Sequence, residues 1–307
     1  MGTPCQAVPG RMLWQLRERF RHGLRTAYYR DIVRPRILSS APLEGLTDRT
    51  CELHVLTSTG DWLNLIWSLK SFYQNSGRRY ALCIHDDGSL PVEARRAIAQ
   101  HFPDGRLIDR PRADAEVLPT LAQYPRARRF RETNLLAPKL FDFVHYLEGD
   151  RMLLFDSDLV FFRCPDALLQ RIEDPSYQRN SFNEDVANGY TAEVEELDAA
   201  CGVTLAPRIN SGLGLVHRQS IRRDWIETFL AVPEVANGHF WRIEQTLYAL
   251  CSSKHGVELL PADYTLRLTR GIGNRPFRHY VGAIRHLMYD EAIPVLVKGG
   301  LLARSAA

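Results

Sequence analysis

No apolar run in this chain approaches the roughly 20 residues that would span a bilayer. The N-terminus also lacks the apolar core of a signal peptide, so the expected setting is the cytoplasm. Cysteine is sparse and scattered. Cys5, Cys51, Cys83, Cys164, Cys201 and Cys251 form no C-x-x-C pair and no zinc-spaced partnership with histidine, which argues for reduced, packed thiols over a disulfide frame or a zinc module. P-loop and dinucleotide glycine fingerprints are missing. Lysine is reduced to Lys70, Lys139, Lys254 and Lys298 in an otherwise arginine-rich chain. The formal net charge of +3 is too small to argue for nucleic acid. What remains, 307 residues with ordinary hydrophobic content, suffices for one large α/β domain or two small ones.

The charge is unevenly spread. Between Arg11 and Arg36 eight arginines face only Glu18 and Asp31, so this stretch is strongly basic and the remainder slightly acidic. Leu13, Leu16, Phe20, Leu24 and Ala27 recur at helical spacing and draw an apolar stripe, with Trp14 and Tyr28 beside it. Arg34-Pro35 is expected to end that helix, and Pro42, Gly45 and Thr47 read as a linker. Two readings are open. The stripe packs on the main domain, or the helix makes a peripheral contact with an anionic membrane at its inner face. The expected division is a basic extension over residues 1–50 and a main domain over 51–307.

From Cys51 short β-like runs alternate with helices, the pattern of a mostly parallel sheet. Strands are expected at Leu53–Leu56, Tyr80–His85, Arg106–Ile108 and the run from Met152. Helices are expected at Trp62–Tyr73, Val92–His101 and Pro138–Tyr146. In open α/β sheets ligands gather at the carboxyl ends of strands. The polar clusters at residues 57–61, 85–88 and 156–158 all fall there.

The run Met152–Phe162 holds two carboxylates, Asp156 and Asp158, inside an otherwise apolar stretch. Burying two like charges together is costly unless something positive sits between them. In an extended segment the two would project to one side about 6.5 Å apart and could face one cation. Oxygen ligands of this kind suit Mg²⁺ or Mn²⁺, which share their remaining positions with substrate phosphates. A strand end whose acids are solvated or paired with arginine is the alternative.

Four segments, in order, resemble the nucleotide-sugar glycosyltransferases of the GT-A fold, most closely family 8. The first strand with Thr57, Thr59 and Asp61 looks like that family's nucleotide-binding start. Pro138-Lys139-Leu140 followed by Leu153-Leu154-Phe155-Asp156-Ser157-Asp158 is similar to its metal-binding segment. Arg208-Ile209-Asn210-Ser211-Gly212-Leu213 resembles its F-N-[AS]-G strand, with Glu244-Gln245 where members carry Asp-Gln. His279-Tyr280-Val281-Gly282-Ala283-Ile284-Arg285 resembles the closing H-x-x-G-x-x-K element, although Arg285 replaces lysine and His286-Leu287 stands where Pro-Trp usually follows.

The resemblance implies an α/β GT-A fold, with a mixed sheet flanked by helices, and a retaining transfer of sugar from a nucleotide-sugar donor, UDP-hexose foremost. It implies Asp156, Asp158 and His279 as ligands of Mn²⁺ or Mg²⁺. Thr57, Thr59, Asp61, Lys139, Gly282 and Arg285 would meet the donor, and Asn210, Glu244 and Gln245 would border the reacting sugar. Plainer roles compete for several of these. His279 could be a hydrogen-bonded structural histidine, Gly282 a turn with positive φ, Asn210 a strand-start turn, Lys139 a snorkelling surface lysine, and Glu244-Gln245 part of a solvated helical face. The acceptor, whether glycan, lipid or protein, would be recognised by the polar stretches 110–135 and 176–206.

Two other functions compare with this one. Phe155-Asp156-Ser157-Asp158-Leu159-Val160 also satisfies the nucleophile-strand pattern of haloacid dehalogenase-type phosphatases, but only Lys254 and Lys298 follow it, neither with a G-D-x-x-x-D element, and the motif comes far later in the chain than in that fold. A non-catalytic GT-A-fold binding protein is the second. Retention of both aspartates, His279 and a basic residue at 285 argues against it.

Overall fold

The structure, a computed structural model, describes Trp14 and residues 17–302. Arg11, Leu13, Leu16 and Cys5 of the sequence analysis lie outside the described residues. Seven strands form the central sheet in the order β3-β2-β1-β4-β7-β6-β8. β1 (Asp48–Thr57), β2 (Tyr80–Asp86), β3 (Arg106–Ile108) and β4 (Arg151–Phe155) run parallel to one another. β7 (Ile209–His217) is antiparallel to β4 and to β6 (Asn180–Glu184), while β8 (Val257–Leu259) pairs in parallel with β6. The sheet is therefore parallel on one side and mixed on the other.

A second, two-stranded sheet joins β5 (Leu159–Phe161) to β9 (Phe277–His279). The single extended run expected from Met152 is thus two strands in different sheets. Asp156, Ser157 and Asp158 form the turn between them. The two acids lie at the corner where the chain leaves one sheet for the other, and not on one face of a straight strand.

Local sequence accounts for the flanking helices. After helical residues 17–19 and a turn, helix α1 (Leu24–Tyr28) is followed by a π-turn at Tyr29–Val33 and a 3₁₀ turn at Arg34–Ser39. Pro35 sits in the first turn of that 3₁₀ segment, where its missing N–H leaves no bond unmade, so Arg34-Pro35 continues the helical path that it was expected to end. Helix α2 (Trp62–Ser76) is buried without a break from Asn64 to Tyr73 and ends on Gly77, whose φ of 66° lets its N–H reach Tyr73 O. Helices α3 (Val92–His101), α4 (Pro125–Thr133) and α5 (Pro138–Tyr146) lie along the parallel half, and α6 (Phe240–His255) packs on β7. Arg131 of α4 is fully buried and clasps Asp142 of α5 bidentately, at 2.6 and 2.7 Å.

One core lies between the sheet, α2 and the C-terminal helices, and a second on the opposite face beneath α5 and α6. Val33, Ile37 and Leu46 belong to the first. Residues read as a linker are tied down: Leu43 N–H donates to His101 O, and Gly45 N–H to Asp104 Oδ2. The expected apolar stripe does not face inward as a unit, because the chain turns at Phe20–His22 and Gly23 takes φ 91°. Ala27 is buried, whereas Leu24 is 76% and Phe20 41% exposed.

Candidate active site

The carboxyl ends of β1 and β4, the start of β7 and the end of β9 meet at one cleft. Pairing of β5 with β9 sets Leu159 opposite His279, and Tyr280 N–H donates to Asp158 O at 3.0 Å. Asp156 N–H donates to Gly212 O at 2.9 Å across the β4–β7 seam. Residues far apart in sequence are thereby fixed by backbone bonds. Asp156, Asp158 and His279 each place a ligand atom within 4.8 Å of the others.

The chemistry of this set fits a divalent cation. His279 Nε2 lies 3.0 Å from Asp158 Oδ1 and 3.6 Å from Asp156 Oδ2. Its Nδ1 lies 3.1 Å from Asn210 Oδ1, an oxygen that also accepts from Gly212 N–H. An amide oxygen only accepts, so Nδ1 donates its proton to Asn210, and without a cation Nε2, 3.0 Å from Asp158 Oδ1, favours a proton as well. With Nδ1–H held by a partner behind the ring, loss of the Nε2 proton to a binding cation would leave the tautomer a metal needs. Without a cation the acids are compensated from within the chain. Asp158 is pulled below the usual carboxylate range because His279 and Arg285 outweigh the burial that would raise it. His279 is raised in turn, with burial opposing and Asp158 dominating the attraction.

Arg285 stands on the other side of Asp158. Its Nη2 is 2.7 Å from Asp158 Oδ2, and its Nη1 pairs with Asp61 beyond the end of β1. Thr57 lines the same end of the cleft with a buried hydroxyl that has no partner. Thr59 is exposed and lies off the cleft lining, its N–H taken by Ser89 Oγ. Gly282 opens a 3₁₀ turn, and its φ is not positive, so the left-handed turn considered for it is absent. A side chain there would meet nothing within 4 Å, which leaves open space over its backbone on the cleft side.

The expected sugar-side residues form a buried network. Lys139, only 3% exposed and so not a snorkelling surface lysine, reaches Asp156 Oδ1 and Ser211 O at 3.0 Å each and Glu244 Oε1 at 3.1 Å. Burial lowers the lysine, but the two carboxylates hold it above its usual value. Glu244 is 2% exposed, accepts from Ser211 Oγ at 2.9 Å and is pushed by burial to about 7. Glu244 and Gln245 are on the inward face of α6; the solvated helical face is excluded. Gln245 lines the cleft, while its Nε2 is buried against Gly189 without a protein partner. Asn210 is largely committed within the chain, since its Nδ2 donates to Asp185 Oδ2 at 2.9 Å.

Two glycines make the arrangement possible. A Cβ on Gly212 would run into the His279 ring, and one on Gly189 into Gln245 Nε2. Asp185, Phe240, Trp241 and Leu266 also wall this cleft of about 600 Å³, and no sequence motif pointed to them. Asp185 was hidden in the polar stretch 176–206, and the two aromatics gave only an ordinary helix start. A second cluster, His54, Cys83 and His85, is fully buried beneath α5. His54 Nδ1 and His85 Nε2 are 3.1 Å apart, and burial lowers both rings so that they pair as neutral imidazoles.

No protein-family model matches the sequence, and no curated protein matches it. Solved structures do. Mouse xyloside xylosyltransferase 1, in its apo form, superposes with a TM-score of 0.51 at 12% identity, over 76% of this chain and 98% of that one. The bifunctional glycosyltransferase WbbM, also apo, gives 0.50 at 14% identity over 78% of this chain, which spans about half of WbbM, 47%. At such identities the likeness speaks for architecture alone. The chain has the α/β fold of these glycosyltransferases, the GT-A fold, as the order of its segments led us to expect.

Proposed function

We propose that the protein is a glycosyltransferase that uses a nucleotide-sugar donor, UDP-hexose foremost, with a bound Mn²⁺ or Mg²⁺ and with retention at the anomeric carbon. The observation that carries this reading is the convergence of Asp156, Asp158 and a His279 whose Nδ1 faces Asn210 at one cleft of a GT-A fold. Those three residues would hold the cation. When bound, it supplies charge neutralisation for the nucleoside diphosphate that departs as the sugar–phosphate bond breaks.

The chain's own groups do the rest. Arg285 exchanges Asp158 and Asp61 for donor phosphate oxygens, which its planar fork grips bidentately. The open space over Gly282 admits the phosphates close to the backbone. Thr57 and Asp61 face the nucleoside end, while Thr59 would take part only through a rearranged loop. Lys139 keeps Asp156 and Glu244 in place and compensates their charge. Gln245 offers its unpartnered N–H to a sugar hydroxyl, and Asn210 positions His279 with one N–H left for the sugar. The acceptor, glycan, lipid or protein, would enter past Phe240 and Trp241.

The phosphatase alternative gains a lysine beside Asp156, at 3.0 Å. It does not, however, account for His279, which the separate β5–β9 pairing sets beside both aspartates. A purely binding role would leave the buried cluster of Lys139, Glu244 and Gln245 without a purpose. The test is a hydrolysis screen of UDP-, GDP- and CMP-sugars with Mn²⁺ or Mg²⁺. Metal-dependent release of one nucleoside diphosphate is expected. Release of inorganic phosphate from simple phosphate esters, with every nucleotide sugar left intact, would overturn the reading in favour of the phosphatase.

A further inference from the structure

Residues that should be hidden are outside on the N-terminal segment. Phe20, Leu24, Tyr28 and Ile32, four residues apart, are 41, 76, 52 and 58% exposed. They line one shallow groove with Arg19, Ala27 and Asp31, so they form one surface despite the turn at Gly23. Single exposed apolar residues need no explanation, but a contiguous ridge of large ones does.

The ridge is held in this orientation by its own inner face. Thr26 and Ala27 are buried, and Thr26 Oγ1 donates to buried Asp290 Oδ2 at 2.8 Å. Val33 and Ile37 enter the main core. His22 stacks on His286 at 4.0 Å with the rings 7° from parallel. The segment cannot roll its apolar ridge inward without giving up these contacts.

Charge selects the occupant. Residues 17–36 carry seven arginines against Glu18 and Asp31, and Arg17, Arg19, Arg21, Arg25 and Arg36 are exposed. The two acids are already engaged, Asp31 by Arg19 and Arg30 and Glu18 by Arg21. The same face on a second copy would repel this one. A lipid surface with anionic headgroups matches both features, since apolar side chains enter the acyl boundary while arginines meet the phosphates.

We propose that the Phe20–Ile32 ridge docks the protein on an anionic lipid bilayer. Contact is interfacial, for no helix among the described residues is long and apolar enough to cross a membrane. The inference stands apart from the sugar-transfer reading, because its test uses neither donor nor acceptor.

The full chain is sedimented with vesicles of phosphatidylglycerol and phosphatidylcholine in equal parts, and with pure phosphatidylcholine, at low and high salt. Binding is expected to the anionic vesicles only and to weaken with salt. Leu24→Glu/Ile32→Glu should lose at least about tenfold in partitioning, and Arg17→Gln/Arg21→Gln several-fold. Unchanged melting and size-exclusion profiles certify that the variants are folded. Wild-type protein that ignores anionic vesicles overturns the proposal, and so does a ridge variant that binds as well as wild type. A concentration-dependent dimer abolished by Leu24→Glu, without vesicle binding, would assign the ridge to a second copy instead.

Discussion

At the residue scale the site rests on who faces His279. Asn210 accepts the Nδ1 proton, and Asp156 and Asp158 face Nε2. Asn210→Ala should therefore lower metal affinity about 10–100-fold while leaving all three ligands present. Isothermal titration with Mn²⁺ in the presence of UDP reads this, and unchanged affinity would remove Asn210 from the positioning role. Asp158→Asn should go further and abolish Mn²⁺-dependent UDP binding with the far-ultraviolet circular dichroism preserved. Arg285 and His279 would then lose their shared carboxylate, so some loss of thermal stability is expected beside the loss of binding. Metal-dependent UDP affinity equal to wild type would sink the ligand assignment.

At the element scale two glycines give opposite expectations. Gly212→Ala on β7 drives a methyl into the His279 ring, so it should cost about 1–3 kcal/mol and also impair metal-dependent activity. Gly282→Ala meets nothing in the chain, so its melting temperature should match wild type while UDP binding weakens. A Gly282→Ala protein with full UDP affinity would take the phosphates away from that backbone. Much of this architecture was legible beforehand, because strong periodicity and turn residues mark α3, α5, β2 and β3 at the bounds observed or within a residue. The split of the Met152 run was not legible. Apolar residues continue on both sides of Asp156-Ser157-Asp158, and only pairing with the distant β9 reveals that the chain changes sheets. Asp61, Asp156, Asp158, Asn210, Gln245 and Arg285 were visible through motif order, whereas Asp185 and Trp241 carry no local signal and enter only through tertiary packing. Which way the N-terminal stripe faces was not legible, for a related reason. Periodicity shows that a face is apolar, but Thr26 meeting Asp290 decides which face turns inward.

At the scale of the whole molecule, buried histidines set the response to acid. His101 and His217 are 4 and 3% exposed, and burial pulls both down to about 4, so they are neutral in the fold. An unfolded histidine titrates near 6.5. Below that value the unfolded chain binds protons that the fold refuses, so their stabilisation is present above about 6.5 and is lost as pH falls toward about 4. Melting temperature should decline between pH 7 and pH 5, and His101→Gln/His217→Gln should flatten the decline. A flat wild-type profile would contradict this. The central claim is that a fold joining β4, β7 and β9 builds one cation site from Asp156, Asp158 and His279, beside a phosphate-gripping Arg285. The most direct measurement is a crystal structure with Mn²⁺ and UDP, using anomalous scattering to locate the metal. The account predicts one peak at coordination distance, about 2.0–2.6 Å, from a carboxylate oxygen of each aspartate and from His279 Nε2, with Arg285 on the diphosphate. A manganese peak more than about 4 Å from His279 Nε2, beyond any coordination bond, would contradict it.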